Sequence, residues 1–290
     1  MQHPLDSKLI VNNTLMRKAM TYSLVAFRKG FRPFCSSNDY RSQPRVLVNS
    51  IPKSGTHLLL QIARSLPNSR YYGHFVNWAN SLTLHERSQS TIMRMLSEMA
   101  PREVAGGHLY YSKEMLDFLR RKNISHWMII RDPVDIVLSE VHYLQKMNWR
   151  HRMAKEFRGL CKENAIDLCV NGSKNRPDLY PNLETRLRPY IDWIGQESVT
   201  LVRYEDLTNE EIRKIEIERL ISTWAKQVTG STEISIEGIV NVAEKSIAPE
   251  KSHTYSGRRS DGAIKIIRED LVHRLKDIRH KCGYASDSNS

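Results

Sequence analysis

The sequence predicts an α/β fold of three layers, in which a central parallel sheet is flanked by helices on both faces. Short apolar runs alternate along the chain with stretches of helical periodicity, which is the pattern of parallel strands covered on both sides. The 290 residues, of which 40% are hydrophobic and 26% charged, suffice for one large domain with its own core. We expect this domain to comprise a basic N-terminal segment (1–44), a core (45–284) and a flexible tail (285–290).

The spacing of the apolar residues gives the order of the elements. Strands are predicted where apolar runs are short and continuous: Arg45–Asn49, Glu103–Leu109, His126–Ile130 and Ser198–Val202. Helices are predicted where apolar residues recur at intervals of three and four: Thr56–Leu66, Thr91–Ala100, Lys113–Lys122, Pro133–Gln145 and Glu210–Val228. An amphipathic helix is also predicted near the N-terminus, with the apolar stripe Leu9, Ile10, Leu15, Met16, Met20 and Leu24.

The charge of the chain favours an anionic ligand. Lys and Arg number 44 against 32 Asp and Glu, a net charge of +12, which suits a phosphorylated or sulfated molecule. No apolar run reaches about 18 residues, so no membrane-spanning helix is expected. The four cysteines form no C-x-x-C pair; no metal site is expected, and a cytoplasmic location with reduced thiols is the simplest interpretation. The basic N-terminal segment leaves a transit peptide open.

The loop between the first predicted strand and the first predicted core helix has the composition of an anion-binding site. A strand-to-helix turn offers free backbone N–H groups and the positive end of a helix dipole. Lys53 adds an ammonium group, and Gly55 lets the backbone approach an anion closely. Ser54 and Thr56 add hydroxyl donors. The order G-x-x-x-x-G-K-[ST] of ATP- and GTP-binding loops is absent, and a polar turn without a ligand is the simpler alternative.

A second candidate anion site follows the strand His126–Ile130. Arg131 comes directly after this strand, Asp132 is a good N-cap, and Pro133 suits the first helical turn. Ser139 lies about two turns into the helix. An arginine fork and a serine hydroxyl can hold a phosphate through charge-assisted hydrogen bonds. The alternative is a capped surface helix with an incidental arginine.

Together, the two motifs resemble those of sulfotransferases that use 3′-phosphoadenosine 5′-phosphosulfate (PAPS). In that family, P-K-S-G-T after a strand is the 5′-phosphosulfate loop, and an arginine followed eight residues later by serine holds the 3′-phosphate. The resemblance implies a P-loop-like α/β fold and PAPS as co-substrate. It implies two groups of binding residues: Lys53, Ser54, Gly55, Thr56 and His57 for the 5′-phosphosulfate, and Arg131 and Ser139 for the 3′-phosphate.

Two later segments extend the resemblance, which spans roughly residues 45–265. Tyr204 matches the tyrosine that lies by the adenine in the family. The late basic loop that closes over the nucleotide is matched by Arg258, Arg259 and Gly262. The tryptophan that is usual in this loop is Ile264 here. A strand end capped by acids, and a mobile basic loop without a ligand, are the alternatives for these two segments.

The resemblance also implies a catalytic base. The segment from Pro101 to Leu109 matches the one that carries the family's catalytic histidine, which is His108 here. Neutral imidazole is a suitable base for an acceptor hydroxyl, because its reference pKa lies near the operating pH. His108 would take the acceptor proton, while Lys53 would support the bridging oxygen as it leaves.

Three positions depart from the family pattern. Gly106 stands where the family often has lysine, and Leu58 where many members have tryptophan. His57 replaces a threonine and is a rival base or an extra phosphate donor. Without the tryptophan, stacking on the adenine would come from Tyr204 or Trp127.

The implied activity is transfer of a sulfuryl group from PAPS to a hydroxyl, or as a second choice an amine, of a polar small molecule or natural product. The acceptor pocket is expected between the motifs, in segments Tyr71–Leu84, Leu109–Tyr111 and Tyr143–Tyr190. The last segment is highly charged, which favours a polar molecule or a sugar over a steroid. The alternatives are a carbohydrate or glycolipid sulfotransferase, a nucleotide kinase or NTPase, and a non-catalytic anion-binding module. No nucleic-acid partner is expected, and a homodimer stays open.

Overall fold

Five strands form one parallel sheet in the part of the chain that the structure describes, so the predicted α/β class is confirmed. The structure is a computed structural model that describes residues 3–7, 9–10, 13–42, 44–79, 82–229, 234–247 and 262–284. The strands are β1 (Arg45–Ser50), β2 (Arg70–Asn77), β3 (Glu103–His108), β4 (Ile124–Ile130) and β5 (Val199–Arg203). They lie in the order β2-β3-β1-β4-β5, and all neighbouring pairs are parallel.

Helices connect the strands and cover the sheet. The first seven are α1 (Thr14–Phe31), α2 (Ser37–Ser42), α3 (Thr56–Arg64), α4 (Gln89–Ser97), α5 (Lys113–Arg121), α6 (Pro133–His142) and α7 (Ala154–Phe157). The others are α8 (Lys162–Asn171), α9 (Leu183–Ile191), α10 (Tyr204–Thr208), α11 (Glu210–Ala225), α12 (Ile236–Ser246), α13 (Gly262–Arg274) and α14 (Lys276–Lys281). None of these described helices has the length and apolar character needed to cross a bilayer.

An apolar core lies on each face of the sheet. Successive residues of a strand point to opposite faces; in β1, Leu47 enters one core while Val48 enters the other. In β4, Met128 and Trp127 divide in the same way. Both strands are therefore buried along their whole length, which is why each appeared in the sequence as a continuous apolar run.

The predicted core elements lie within a few residues of the observed ones, but one strand and eight of the fourteen described helices were not predicted. The predicted helix Pro133–Gln145 ends at His142, and a π-helical turn follows it. The edge strand β2 was not predicted, because Gly73 interrupts its apolar pattern and its register shifts between Tyr71 and Phe75.

The predicted N-terminal helix is present, and its apolar stripe is divided: Ile10 is buried and Met20 and Leu24 are half-buried. Leu9, Leu15 and Met16 are exposed. The buried residue of α1 is Arg28, whose Nη1 donates to Glu103 Oε1 at 3.1 Å. This contact anchors α1 to the edge of the sheet.

The C-terminal helix holds the start of α6 in place. Asp132 caps α6 by accepting from Val134 N at 2.9 Å. Arg279 of α14 is buried, and its Nη2 donates to Asp132 Oδ2 at 3.0 Å. Tyr284 OH donates to Glu205 Oε2 at 2.8 Å. These bonds fix the end of β4, where the second anion motif begins.

Candidate active site

A cleft of about 1620 Å³ lies where β1, β3 and β4 end. Parallel strands present their carboxyl ends at one edge of a sheet, where α/β proteins bind ligands. The cleft brings together most of the site residues that the sequence predicted: Lys53, Gly55, Thr56, His57, His108, Arg131, Ser139 and Tyr204. Ser54 lies beneath the loop surface and is fully buried. Arg258 and Arg259 lie outside the described residues, and Gly262 begins α13.

The loop after β1 contains two residues in the left-handed region of backbone conformation, which most side chains disfavour. Lys53 and Gly55 both have positive φ angles, of 71° and 96°. A Cβ atom at position 55 would overlap the ring of Tyr204, so glycine is required there by backbone and by space. The hydroxyl of Ser54 is buried and has no hydrogen-bond partner among the described residues. A buried donor in this state fits a loop whose hydrogen bonds an anion would complete.

Lys53 contacts an aromatic ring that the sequence did not indicate. Its Nζ lies 3.8 Å from the centroid of the Tyr143 ring, a cation–π distance. Tyr143 begins the π-helical turn after α6, and its hydroxyl accepts from Asn148 Nδ2 at 2.7 Å. Turns of this type are frequent at functional sites. The widened turn has no simple sequence signature, and this residue was missed for that reason.

Arg131 lies on a ring in the same manner. Its guanidinium is 4.3 Å from the centroid of the Tyr204 ring, and its Nη1 donates to the carbonyl of Lys53 at 3.4 Å. The Nε of Arg131 is buried and has no hydrogen-bond partner among the described residues. Ser139 lines the same cleft. The arginine therefore connects the two anion motifs and keeps donor capacity.

One further cation reaches this end of the cleft from the C-terminal part of the chain. Arg268 of α13 lines the cleft and forms an ion pair with Asp135 of α6. No motif marks this arginine in the sequence. It approaches Asp135 because α13 packs against α6, a contact that local patterns do not reveal.

His108 is oriented by the residue that ends β1. Its Nδ1 lies 3.0 Å from the carbonyl oxygen of Ser50. A carbonyl can only accept, so Nδ1 carries the proton and Nε2 of the neutral ring keeps its lone pair. Burial lowers the pKa of His108 to about 4, and the nearby charge of Lys53 acts in the same direction. The imidazole is therefore neutral near pH 7.

Ser50 also links His108 to the anion loop. Its hydroxyl lies 3.0 Å from His108 Nδ1 and 2.6 Å from the hydroxyl of Thr56. Sequence reasoning did not select Ser50. The residue lies between a strand and the loop, and its role depends on β3 lying beside β1.

The departures from the family pattern have structural explanations. A Cβ at Gly106 would lie 2.7 Å from Cδ2 of Phe75, so the Phe75 ring fills the space next to position 106. Leu58 is buried in an apolar core. Trp127 is fully buried in the same core, so the prediction that it could stack on adenine is wrong. Tyr204 keeps that role as a candidate because it lines the cleft.

The other end of the cleft has an aromatic wall. The rings of Trp78 and Tyr110 are stacked at 5.1 Å and 16°, and Tyr190 meets Tyr110 edge-on at 5.1 Å. Phe75 packs edge-on against His108 at 5.0 Å. The expected acceptor segment Tyr71–Leu84 contributes Phe75 and Trp78 to the cleft as the structure describes it, but Tyr71 and Tyr72 do not line it.

A half-buried polar cluster borders this aromatic end. Arg186 Nη1 donates to both oxygens of Glu140 at 2.8 Å, and Tyr180 OH donates to Glu140 Oε1 at 3.0 Å. Burial alone would raise the pKa of Glu140, but Arg186 holds it below its usual value. The carboxylate is therefore ionised and is held in place by two neighbours.

The protein is a three-layer α/β fold in which two cationic groups and a neutral histidine surround one cleft. This arrangement is typical of an enzyme that transfers a group from an anionic substrate. The family model described as "Sulfotransferase domain" matches residues 43–231, and the chain belongs to this family. Sulfuryl transfer is therefore its class of reaction.

Solved structures agree on the fold. The mouse sulfotransferase SULT7A1 complexed with PAP is 13% identical, with a TM-score of 0.51 over 91% of this chain and 94% of that chain. Retinol dehydratase with retinol and PAP is also 13% identical, with a TM-score of 0.51 over 87% and 86%. A second complex of retinol dehydratase, with androsterone and inactive cofactor PAP, gives 0.53 at 13% identity over 87% and 85%. Comparison with curated protein sequences finds no match.

Proposed function

We propose that the chain transfers a sulfuryl group from PAPS to a hydroxyl of a polar small molecule or natural product, with His108 as the base. One observation carries this proposal. Lys53, Arg131 and His108 line the same cleft, and the imidazole is held neutral with its Nδ1 bound to Ser50.

The residues around the cleft fit a doubly phosphorylated adenosine. Ser54 Oγ and Arg131 Nε are buried donors without partners among the described residues, and each belongs to a different motif. Lys53 adds a charge at the first motif and Ser139 a hydroxyl at the second. SULT7A1 and retinol dehydratase, which share this fold, hold PAP. These features support the assignment of one phosphate to each motif.

The reaction needs a proton acceptor and a stabilised leaving group. When bound, PAPS supplies the sulfuryl group. His108 Nε2 accepts the proton of the acceptor hydroxyl while the new sulfur–oxygen bond forms and the bond from sulfur to the phosphate oxygen breaks. Lys53 neutralises the charge that develops on the leaving phosphate, and such fixed positive charge is the larger part of catalysis in transfers of this kind.

The acceptor end of the cleft suits a molecule with a flat face and polar substituents. The stacked pair Trp78 and Tyr110 offers a platform for a ring, while Glu140 and Arg186 offer charged groups nearby. A sugar ring can also lie on such a platform, so a carbohydrate or glycolipid acceptor is the second candidate.

Transfer of labelled sulfate from PAPS to a panel of phenols, polar natural products and sugars tests the proposal. We expect at least one acceptor to be sulfated, with turnover lost in His108→Ala and PAP binding kept. A nucleotide kinase would instead bind ATP with Mg²⁺ and phosphorylate the acceptor. Binding of heparin without any binding of PAP would favour an anion-binding module and contradict the proposal.

A further inference from the structure

Helix α1 has its apolar side turned outward. Leu15, Tyr22 and Phe27 are 72%, 71% and 65% exposed, and Phe34, just beyond the helix, is 85% exposed. Leu15 and Tyr22 lie seven residues apart on one line of the helix, and Phe27 lies about 140° around the axis from Tyr22, with its ring centroid 6.4 Å from that of Tyr72. The exposed residues therefore form a wide outward surface and not a single stripe. We call this surface, made of Leu15, Met16, Tyr22, Phe27 and Phe34, the α1 apolar face. Packed helices normally bury such a surface.

The inward side of α1 combines half-buried apolar residues, Leu24 and Val25, with polar contacts. Arg28 is buried there, with Nη1 2.7 Å from His74 Nδ1 and 3.1 Å from Glu103 Oε1. Thr21 packs closely against Gly73 of β2, where a Cβ would lie 3.1 Å from the threonine hydroxyl. The helix is therefore fixed to the sheet by buried polar contacts. Its outward apolar face is a permanent feature of the fold, and contiguous exposed apolar surface of this kind marks an interaction site.

The chain segment that carries this face has only positive charged side chains, of which Arg28 is paired with Glu103. Residues 7–38 contain six Lys and Arg and no Asp or Glu. Lys18 and Lys29 are exposed on α1, and Lys18 lies one turn before Tyr22 on the same side. A second copy of the chain would bring two positive surfaces together, which electrostatics opposes. An anionic lipid surface offers the complementary charge as well as an apolar layer.

We propose that the α1 apolar face docks on the surface of an anionic bilayer. Aromatic and aliphatic side chains enter the boundary between headgroups and acyl chains, while lysines contact anionic headgroups, and the two contributions together give stable peripheral binding. Tyrosine suits this boundary because its ring is apolar and its hydroxyl stays in contact with water. The proposed docking surface lies at the edge of the sheet, so this proposal does not depend on which acceptor receives the sulfuryl group.

Flotation with lipid vesicles tests the proposal on the full chain. We expect the protein to float with vesicles of phosphatidylcholine and phosphatidylserine in equal parts, to stay behind with phosphatidylcholine alone, and to be released by high salt. The combined variant Leu15→Ser, Tyr22→Ser, Phe27→Ser should lose roughly tenfold or more of the partition. Lys18→Gln with Lys29→Gln should weaken binding to the anionic vesicles only.

A matched control removes exposed apolar residues elsewhere. Ile215 of α11 and Val242 of α12 are 62% and 55% exposed, and Ile215→Ser with Val242→Ser should float like the original chain. Thermal unfolding of all variants shows whether the fold is kept. Failure of the original chain to bind anionic vesicles overturns the proposal, as does equal binding by the triple variant. A concentration-dependent dimer that the triple variant abolishes would also overturn it, because the face would then join two copies.

Discussion

Two buried arginines, Arg28 and Arg279, hold elements of the fold together, and we call these arginines and their partners the frame. Their neighbours differ from those of Lys53 and Arg131 in the cleft. In the frame, Arg28 donates to Glu103 and Arg279 donates to Asp132, and all four residues are buried. A carboxylate both neutralises the guanidinium and occupies its N–H groups. Such a pair fixes the position of two elements of the fold.

Two cations of the cleft lie on aromatic faces. Lys53 contacts the Tyr143 ring and Arg131 the Tyr204 ring. A ring face attracts a cation without accepting a conventional hydrogen bond from it, so the ring positions the charge. The two pairs therefore differ in the kind of group that holds the cation, although other cations of the cleft, Arg186 and Arg268, are paired with carboxylates. Changes in the cleft should therefore reduce turnover or binding at nearly constant stability, and changes in the frame should do the reverse.

The largest effect is expected for Lys53→Ala. Loss of a charge that neutralises the leaving phosphate should lower kcat by roughly a thousandfold, with little change in the temperature of unfolding. Lys122→Ala, at an exposed helix end, is the control and should leave kcat unaltered. Sulfuryl transfer at an undiminished rate in Lys53→Ala would show that the loop has another role.

His108→Ala should lower kcat by roughly a hundredfold or more, because a positioned base is lost. Binding of PAP, measured by calorimetry, should be kept. The variant His57→Ala gives the comparison, since His57 lines the same cleft. A larger loss in His57→Ala than in His108→Ala would assign the base to His57.

The pH profile of kcat/KM sharpens the same assignment. The pKa of His108 is lowered to about 4, so its neutral, active form persists as the pH falls and is lost only near that value. We expect activity to remain nearly constant down to about pH 5, well below the reference pKa of a histidine. An acid limb near pH 6.5 would contradict this environment for the base.

The frame should respond in the opposite way. Glu103→Gln leaves Arg28 buried with a weaker partner, and the free energy of unfolding should fall by about 3 kcal/mol, as measured by urea denaturation. KM for PAPS should be unchanged. Glu218→Gln, at an exposed position of α11, is the matched control for stability. If Glu103→Gln changes the KM for PAPS without changing the free energy of unfolding, Glu103 contributes to binding and not to the stability of the fold.

A smaller effect is expected at Tyr143. Tyr143→Leu removes the ring beneath Lys53 and should lower kcat by roughly three- to tenfold, the value of one cation–π contact. Tyr143→Phe keeps the ring and should retain most of the activity. If both variants lose the same amount, the hydroxyl and its bond with Asn148 carry the effect instead.

The sequence predicted the parts of the site that are contiguous in the chain. Lys53 to Thr56 and Arg131 to Ser139 each lie in one segment, so spacing and residue type indicated two anion sites, and the family resemblance then selected His108. Ser50, Tyr143 and Arg268 could not be predicted, because their roles depend on elements that meet only in the folded chain.

The orientation of α1 was beyond the sequence for a similar reason. Periodicity shows which residues share one side of a helix, but not which side packs inward. Here, Arg28 is drawn inward by Glu103, 75 residues further along the chain. The apolar residues were therefore left outside, against the usual expectation.

The central claim is that the two motifs hold opposite ends of one nucleotide. It is tested by the affinity of Arg131→Ala for nucleotides that carry one phosphate or two. Calorimetry should show that the original chain binds 3′,5′-adenosine bisphosphate more tightly than 5′-AMP, without Mg²⁺. Arg131→Ala should lose this preference, by roughly tenfold or more, and still bind 5′-AMP as before. If Arg131→Ala keeps the full preference for the bisphosphate, Arg131 does not hold the 3′-phosphate and the account is contradicted.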